Sequence, residues 1–358
     1  MVDVVAYVSG HGFGHAARVC EVLRALRARR PGTTVAVRSP LARWFFAFNL
    51  GDDVAHAPCA LDVGVVQADS LSLDLAATEA AYAAIEAGRA ARIAAEVAAL
   101  APLRPRLILA DIPALAFDVA DALGVPGVAM TNFSWDWIYA DYVAQRPGFA
   151  PLVAALRRSY GRAALLLRLP LHGDLDAFPR IRDVPLVARR AALGRRVVRE
   201  RLGLPRDDRV VLLSFGGLGL ALPAAPRLAG VTVVATGPAP AGCRAVSHAA
   251  LTAAGVRYED LVGASDAVLT KPGYGIVAEC IANRTPIVHA PRGQFAEYDC
   301  LVAGIAAHLA HAPIAVADLR TGRWAAALEQ AWAQPLPPLT LAVDGAEVVA
   351  DTLAGFLA

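Results

Sequence analysis

Lysine is almost absent from this chain: of its 34 basic residues, only Lys271 is not arginine. Asparagine is nearly as scarce, occurring at Asn49, Asn132 and Asn283 alone, so each of these rare residues carries more information than any single arginine or alanine. The five cysteines (Cys20, Cys59, Cys243, Cys280 and Cys300) are scattered without C-x-x-C spacing. That argues against a zinc site or a disulfide frame and for reduced core thiols. No apolar run approaches the ~18 residues of a membrane span, and the opening MVDVVAYV has no basic n-region. Neither a signal peptide nor a transmembrane segment is therefore expected, and the expected location is cytoplasmic. A net charge of +2 supplies no footprint for nucleic acid, so none is expected as a partner.

What is plentiful is apolar sequence, at 56%, which allows large buried cores and leaves little room for disorder. At 358 residues the chain is long for one core, and two domains are expected. The boundaries read are 1–185 and 186–345, with a final helix over 346–358 packing back on the first domain.

The pattern of each half is strand, glycine loop, helix, the opening of an α/β nucleotide-binding unit. In the first half Val2–Val8 is an apolar run of strand length, and Ser9-Gly10-His11-Gly12-Phe13-Gly14-His15 breaks it. A helix over Ala16–Arg29 follows, with Val19, Val22, Leu23 and Leu26 at helical spacing. The glycines fall as G-x-G-x-G, not as the dinucleotide fingerprint. At the helix start, the positive dipole end disfavours an imidazolium at His15, which makes it a candidate general base. His11 is a candidate substrate contact. The alternative for both is that they shape the loop. Asp111 ends the strand Arg106–Ala110 on the same rim, where it either orients His15 or caps a helix over Ile112–Leu123. After another strand, Thr131-Asn132-Phe133-Ser134-Trp135-Asp136 gathers aromatic and polar groups. Asn132, Trp135 and Asp136 are candidate acceptor contacts, with a structural aromatic anchor as the alternative. The segment Leu73–Leu100 reads as one long Ala-rich helix.

In the second half the strand Arg209–Phe215 runs into Gly216-Gly217-Leu218-Gly219. A further strand ends at Lys271-Pro272-Gly273-Tyr274-Gly275, just ahead of a helix. Free N–H groups, the positive helix end and a compact ammonium meet there, which suits a phosphate. Glu279, one turn along that helix, can accept hydrogen bonds from a ribose diol, and the loop Arg292–Glu297 offers Gln294 and Glu297 to sugar hydroxyls. Arg189–Arg201 reads as an arginine-dense helix, either solvated or meeting an anionic membrane surface peripherally. Asp174-Leu175-Asp176 has the spacing of a metal motif but falls in the expected interdomain connection.

Together, VSGHGFGHAARVCEVLRAL, TNFSWDWIYADY and TKPGYGIVAECI resemble the GT-B nucleotide-sugar glycosyltransferases, and most nearly the glycosyltransferase-like region of plant L-arabinokinases. The resemblance implies two Rossmann-like domains facing across a cleft and an inverting transfer with no essential metal and no cofactor. The implied substrates are a nucleotide sugar, expected to be UDP-linked, and an unknown acceptor. It implies His15 as base, the diphosphate held by Gly216, Gly217 and the Lys271–Gly275 turn, the ribose by Glu279, and the sugar by Gln294 and Glu297. An epimerase or hydrolase on the same fold, or a nucleotide-sugar-binding module without chemistry, are the competing readings.

Overall fold

The computed structural model describes residues 1–69, 72–215, 222, 224–237, 239–291, 293 and 295–358. Gly216, Gly217 and Gln294 lie outside the described residues.

As expected from the sequence, the architecture is α/β, built on two parallel sheets. The first carries strands β1 (Val4–Val8), β2 (Val35–Arg38), β3 (Ala55–Ala57), β6 (Leu107–Asp111), β7 (Gly127–Thr131), β8 (Leu165–Arg168) and β9 (Ile181–Asp183) in the order β3-β2-β1-β6-β7-β8-β9. A short antiparallel pair, β4 (Gln67–Asp69) and β5 (Ser72–Leu73), stands apart from it. The second sheet carries β10 (Arg209–Ser214), β11 (Val231–Ala235), β12 (Arg244–Ala245), β13 (Ala267–Thr270), β14 (Ile287–His289) and β15 (His311–Pro313), ordered β12-β11-β10-β13-β14-β15.

Both sheets are covered on both faces, and this is why their strands read as continuous apolar runs. In β1, Val4, Ala6 and Val8 pack with the helix Phe13–Arg29, while Val5 and Tyr7 join the core on the opposite face. In β10, Val210 and Leu212 face one core and Val211 and Leu213 the other. The helix Gly345–Phe356 buries Ala346, Val349, Ala350 and Leu353 in the first sheet's core, and Arg106 Nη2 donates to the carbonyl of Leu357 at 2.7 Å.

Several local expectations give way to tertiary contacts. The Ala-rich segment is two helices, Leu75–Ala87 and Arg89–Leu100, broken at Gly88, a residue that costs about 1 kcal/mol more than alanine in a helix interior. The expected Arg189–Arg201 helix begins only at Arg195. The linker ahead of it is held extended because Asn283 and Asp260 take its donors: Ala191 N–H donates to Asn283 Oδ1 and Ala192 N–H to Asp260 Oδ1, each at 2.7 Å. Asp111 is the last residue of β6 and not a helix cap, since the helix after it spans Leu115–Leu123. Among the described residues, no helix is long and apolar enough to cross a membrane.

Candidate functional site

In each sheet the strand order reverses once, between β1 and β6 and between β10 and β13. The loops leaving those strands diverge to opposite faces, so a crevice opens at their carboxyl ends. The first loop carries His11, the start of the helix Phe13–Arg29 carries His15, and the loop after β13 carries Lys271. Both sets line one cleft of about 720 Å³ that residues of the two sheets share.

The first wall is organised by register. Val8 lies opposite Asp111 across the β1–β6 pair, and Ser9 N–H donates to the Asp111 carbonyl at 2.8 Å. His15, in the first turn of the helix Phe13–Arg29, thereby meets Asp111: Nδ1 stands 2.8 Å from Oδ1, with His15 8% and Asp111 0% exposed. A carboxylate can only accept, so Nδ1 carries the hydrogen of this bond, and Nε2 is the ring nitrogen that Asp111 does not engage. Gly12 precedes the helix at φ 129, a conformation only glycine adopts readily.

Sequence reasoning missed Arg18, because one arginine among many carries no signal of its own. It forks onto Asp111, with Nε 2.5 Å from Oδ2 and Nη2 2.6 Å from Oδ1, and its Nη1 donates to Asn132 Oδ1. Burial pushes the Asp111 carboxyl upward, but Arg18 and His15 overcome it and hold the group below the usual carboxylate range.

The second wall is the turn before the helix Tyr274–Asn283. Gly273 caps that helix without a side-chain cap hydrogen bond, and a Cβ built on Gly273 would meet nothing within 4 Å. Gly273, Tyr274 and Gly275 line the cleft with Lys271. Lys271 Nζ donates to Gln67 Oε1 at 3.3 Å, a contact between the two halves. Tyr274 stacks on Phe133 at 5.6 Å, a second such contact. Gly275 lies against Gly14, so the two helix starts converge. Pro272 completes the turn ahead of the cap and is buried.

Glu279 lines the cleft but is already paired: Arg189 Nε donates to Oε1 at 2.6 Å and Nη2 lies 2.5 Å from the same oxygen. Burial dominates its proton affinity and raises it, Arg189 opposing. Arg189 also faces Glu259, 3.3 Å from its Nη1, so an arginine expected on a surface helix is a buried link from the linker to the helices Tyr258–Ala264 and Tyr274–Asn283. Glu297, the first residue of the helix Glu297–His308, is 4% exposed and lines the cleft.

Not every candidate comes to this wall. His11 lines the cleft, its Nδ1 accepting Val65 N–H at 3.3 Å and its ring set edge-on to Trp135 at 5.2 Å. Trp135 itself is 1% exposed, its Nε1 donating to Asp62 Oδ2 at 2.9 Å. Asp136 is 2% exposed and pairs with Arg157 at 3.1 Å. Their expected acceptor contacts therefore give way to the structural alternative: the helix Trp135–Ala140 packs its aromatic face inward, and Phe133 takes the place beside the cleft. Asn132 is likewise occupied, between Arg18 and the Pro170 carbonyl at 2.5 Å. Asp176, from the motif with metal spacing, is exposed and pairs with Arg157 at 2.7 Å.

Two sheet-built halves with a cleft at their switch points define the GT-B glycosyltransferase fold, and the solved structures agree. The kitacinnamycin glycosyltransferase superposes with a TM-score of 0.58 at 18% identity, covering 99% of this chain and 94% of that one. The glycosyltransferase VinC, solved with dTDP, gives 0.55 at 18% identity over 99% of this chain and 95% of that one. No protein-family model matches the chain. In sequence it is similar to L-arabinokinase of Arabidopsis thaliana, 33% identical over 356 residues, or 97% of this chain. The chain spans about a third, 34%, of that relative's length.

Proposed function

We propose that the protein is an inverting, metal-independent glycosyltransferase that moves a sugar from a UDP-linked donor to a hydroxyl-bearing acceptor. The observation that carries this reading is a juxtaposition: two converging helix starts and the single ammonium side chain share one cleft with a His–Asp pair. The fold neighbour solved with dTDP lends support to a nucleoside diphosphate in such a cleft.

In the proposed step His15 Nε2 takes the acceptor hydroxyl proton and the acceptor oxygen bonds to the anomeric carbon from the face opposite the diphosphate. The bond from that carbon to the diphosphate oxygen breaks, its electron pair leaving with the nucleotide. Charge growing on the leaving group is met by the positive end of the helix that starts at Gly273–Gly275 and by Lys271. Glu279, through its second oxygen, is assigned to the ribose diol. Gly216 and Gly217 are assigned to the diphosphate, and Gln294 and Glu297 to the donor sugar. Residues 1–185 are read as the acceptor side and 186–345 as the donor side.

A panel of UDP-, dTDP- and GDP-linked sugars, incubated with and without hydroxylated acceptors and analysed by mass spectrometry, tests the reading. Acceptor-dependent release of nucleotide, persisting in EDTA, is the expected result. An altered free nucleotide sugar would instead mean epimerisation, and release without an acceptor would mean hydrolysis. A second reading is a nucleotide-sugar-binding module without chemistry, since the similar sequence is named as a kinase and not as a transferase. Saturable binding with no turnover of any donor would select it.

A further inference from the structure

We infer that Arg18 is a positioning residue of the proposed transfer, orienting the Asp111 carboxylate onto His15 Nδ1 so that the Nε2 lone pair is presented to the acceptor hydroxyl. The inference rests on the reading of His15 as base, and it assigns a role to a residue with no motif of its own.

The geometry is that of a fork. Arg18 Nε and Nη2 take the two oxygens of Asp111 at 2.5 and 2.6 Å, while Nη1 reaches Asn132. Asn132 in turn donates to the Pro170 carbonyl, so the guanidinium is fixed at its far end by the loop after β7. Only a planar group with several donors spans both carboxylate oxygens and a third acceptor at once. Arg18 lies one helical turn beyond His15 on the same face, and its Nη2 comes within 3.3 Å of His15 Nδ1. At that distance the guanidinium shares the Asp111 carboxylate with the imidazole, so the acid that orients the ring is itself held in place by a cation.

Among the described residues, the charged and titratable groups that share the cleft with His15 and Arg18 include His11 from the first loop and Lys271, Arg189, Glu279 and Glu297 from the second half. Arg18 comes from the helix of His15 and Asp111 from β6. Asp62, the other acid whose charge reaches both, is tied to Trp135 and raised by its own burial. Lys271 lines the same cleft from the second sheet. The aromatic neighbour, Phe133, sets its ring edge-on to His15 at 5.5 Å and bears no charge.

The test needs no substrate. Protein labelled at histidine Cε1 with carbon-13 is titrated by NMR, the His15 signal being assigned by its loss in His15→Gln. In Arg18→Met the titration of the His15–Asp111 pair is expected to move to higher pH by about one unit, a tenfold gain in proton affinity. If Arg18→Met does not fold, as judged by the signals of the other histidines, Arg18→Gln is read in the same way. A titration that coincides with wild type, or moves to lower pH, overturns the inference. Where turnover is found, the acid limb of kcat follows the same shift with donor affinity retained. Should wild type transfer no sugar at all, the product assay has failed the function while the titration still decides Arg18.

Discussion

Gly14 and Gly275 meet backbone to backbone: a Cβ added to Gly275 would stand 2.8 Å from the Cα of Gly14, with no side chain between them to yield. Two helices that begin at distant points of the chain therefore start at one place, and the positive ends of both face the same cleft. The relationship is not symmetric, since a Cβ on Gly14 would lie 3.5 Å from Gly275, an ordinary contact.

Gly275→Ala is accordingly expected to destabilise the protein by about 1–3 kcal/mol through overpacking of the seam. Gly14→Ala should be neutral, or stabilising by up to ~1 kcal/mol as glycine leaves a helix. Denaturant midpoints of the two variants check this, and equal losses in both would refute the backbone-contact argument.

Lys271→Ala should weaken binding of a nucleoside diphosphate by about 1–3 kcal/mol, because the lost ammonium partner is a charged one in a partly dry cleft. Isothermal calorimetry measures this directly. An unchanged Kd would remove Lys271 from the anion site without touching the fold.

His15→Ala is expected to lower kcat by roughly 10²–10⁴-fold while leaving donor affinity nearly intact, the signature of a group needed for proton transfer alone. Full activity in this variant would exclude His15 as the base.

Arg189→Met would leave Glu279 and Glu259 buried without their shared cation. Breaking a buried pair in this way costs about 3–5 kcal/mol. Thermal or chemical unfolding gives the value, and a loss under ~1 kcal/mol, as for an exposed pair, would count against the buried link.

Acid sensitivity has a second, separable source. Burial, with His311 stacked at 5.9 Å, lowers the His289 imidazole from 6.5 to about 4. Its folded form stays neutral where the unfolded form gains a proton, so stability present above pH ~6.5 falls by about 1.4 kcal/mol per pH unit as the pH drops toward 4. His289→Asn should flatten this part of the stability profile between pH 6.5 and 4.5, read from denaturant midpoints. A variant whose profile parallels wild type would show that the ring is solvated.

The α/β class and the paired strand–glycine-loop–helix units were legible because each is local: apolar runs, turn residues and helical spacing sit within one stretch of chain. The same holds for Lys271, which stood out by rarity, and for His15 beside the first loop. Gly88 and the helix over residues 75–100 show the limit of periodicity, since one residue in the middle of a regular pattern divided the element. Trp135 and Asp136 show another, because an aromatic–polar cluster has one composition whether it faces a substrate or a core.

What only the tertiary structure decided were the partnerships across sequence. The Val8–Asp111 register places Asp111 on His15 and Arg18, and the extended linker brings Arg189 to Glu279. In the sequence these arginines are indistinguishable from their many neighbours. An ion pair depends on which strands lie side by side and on how far each is shifted, and no single stretch of sequence encodes either. The amino-acid order thus determined the separate pieces of the site, while sheet register and the packing of two helix starts decided which charges meet.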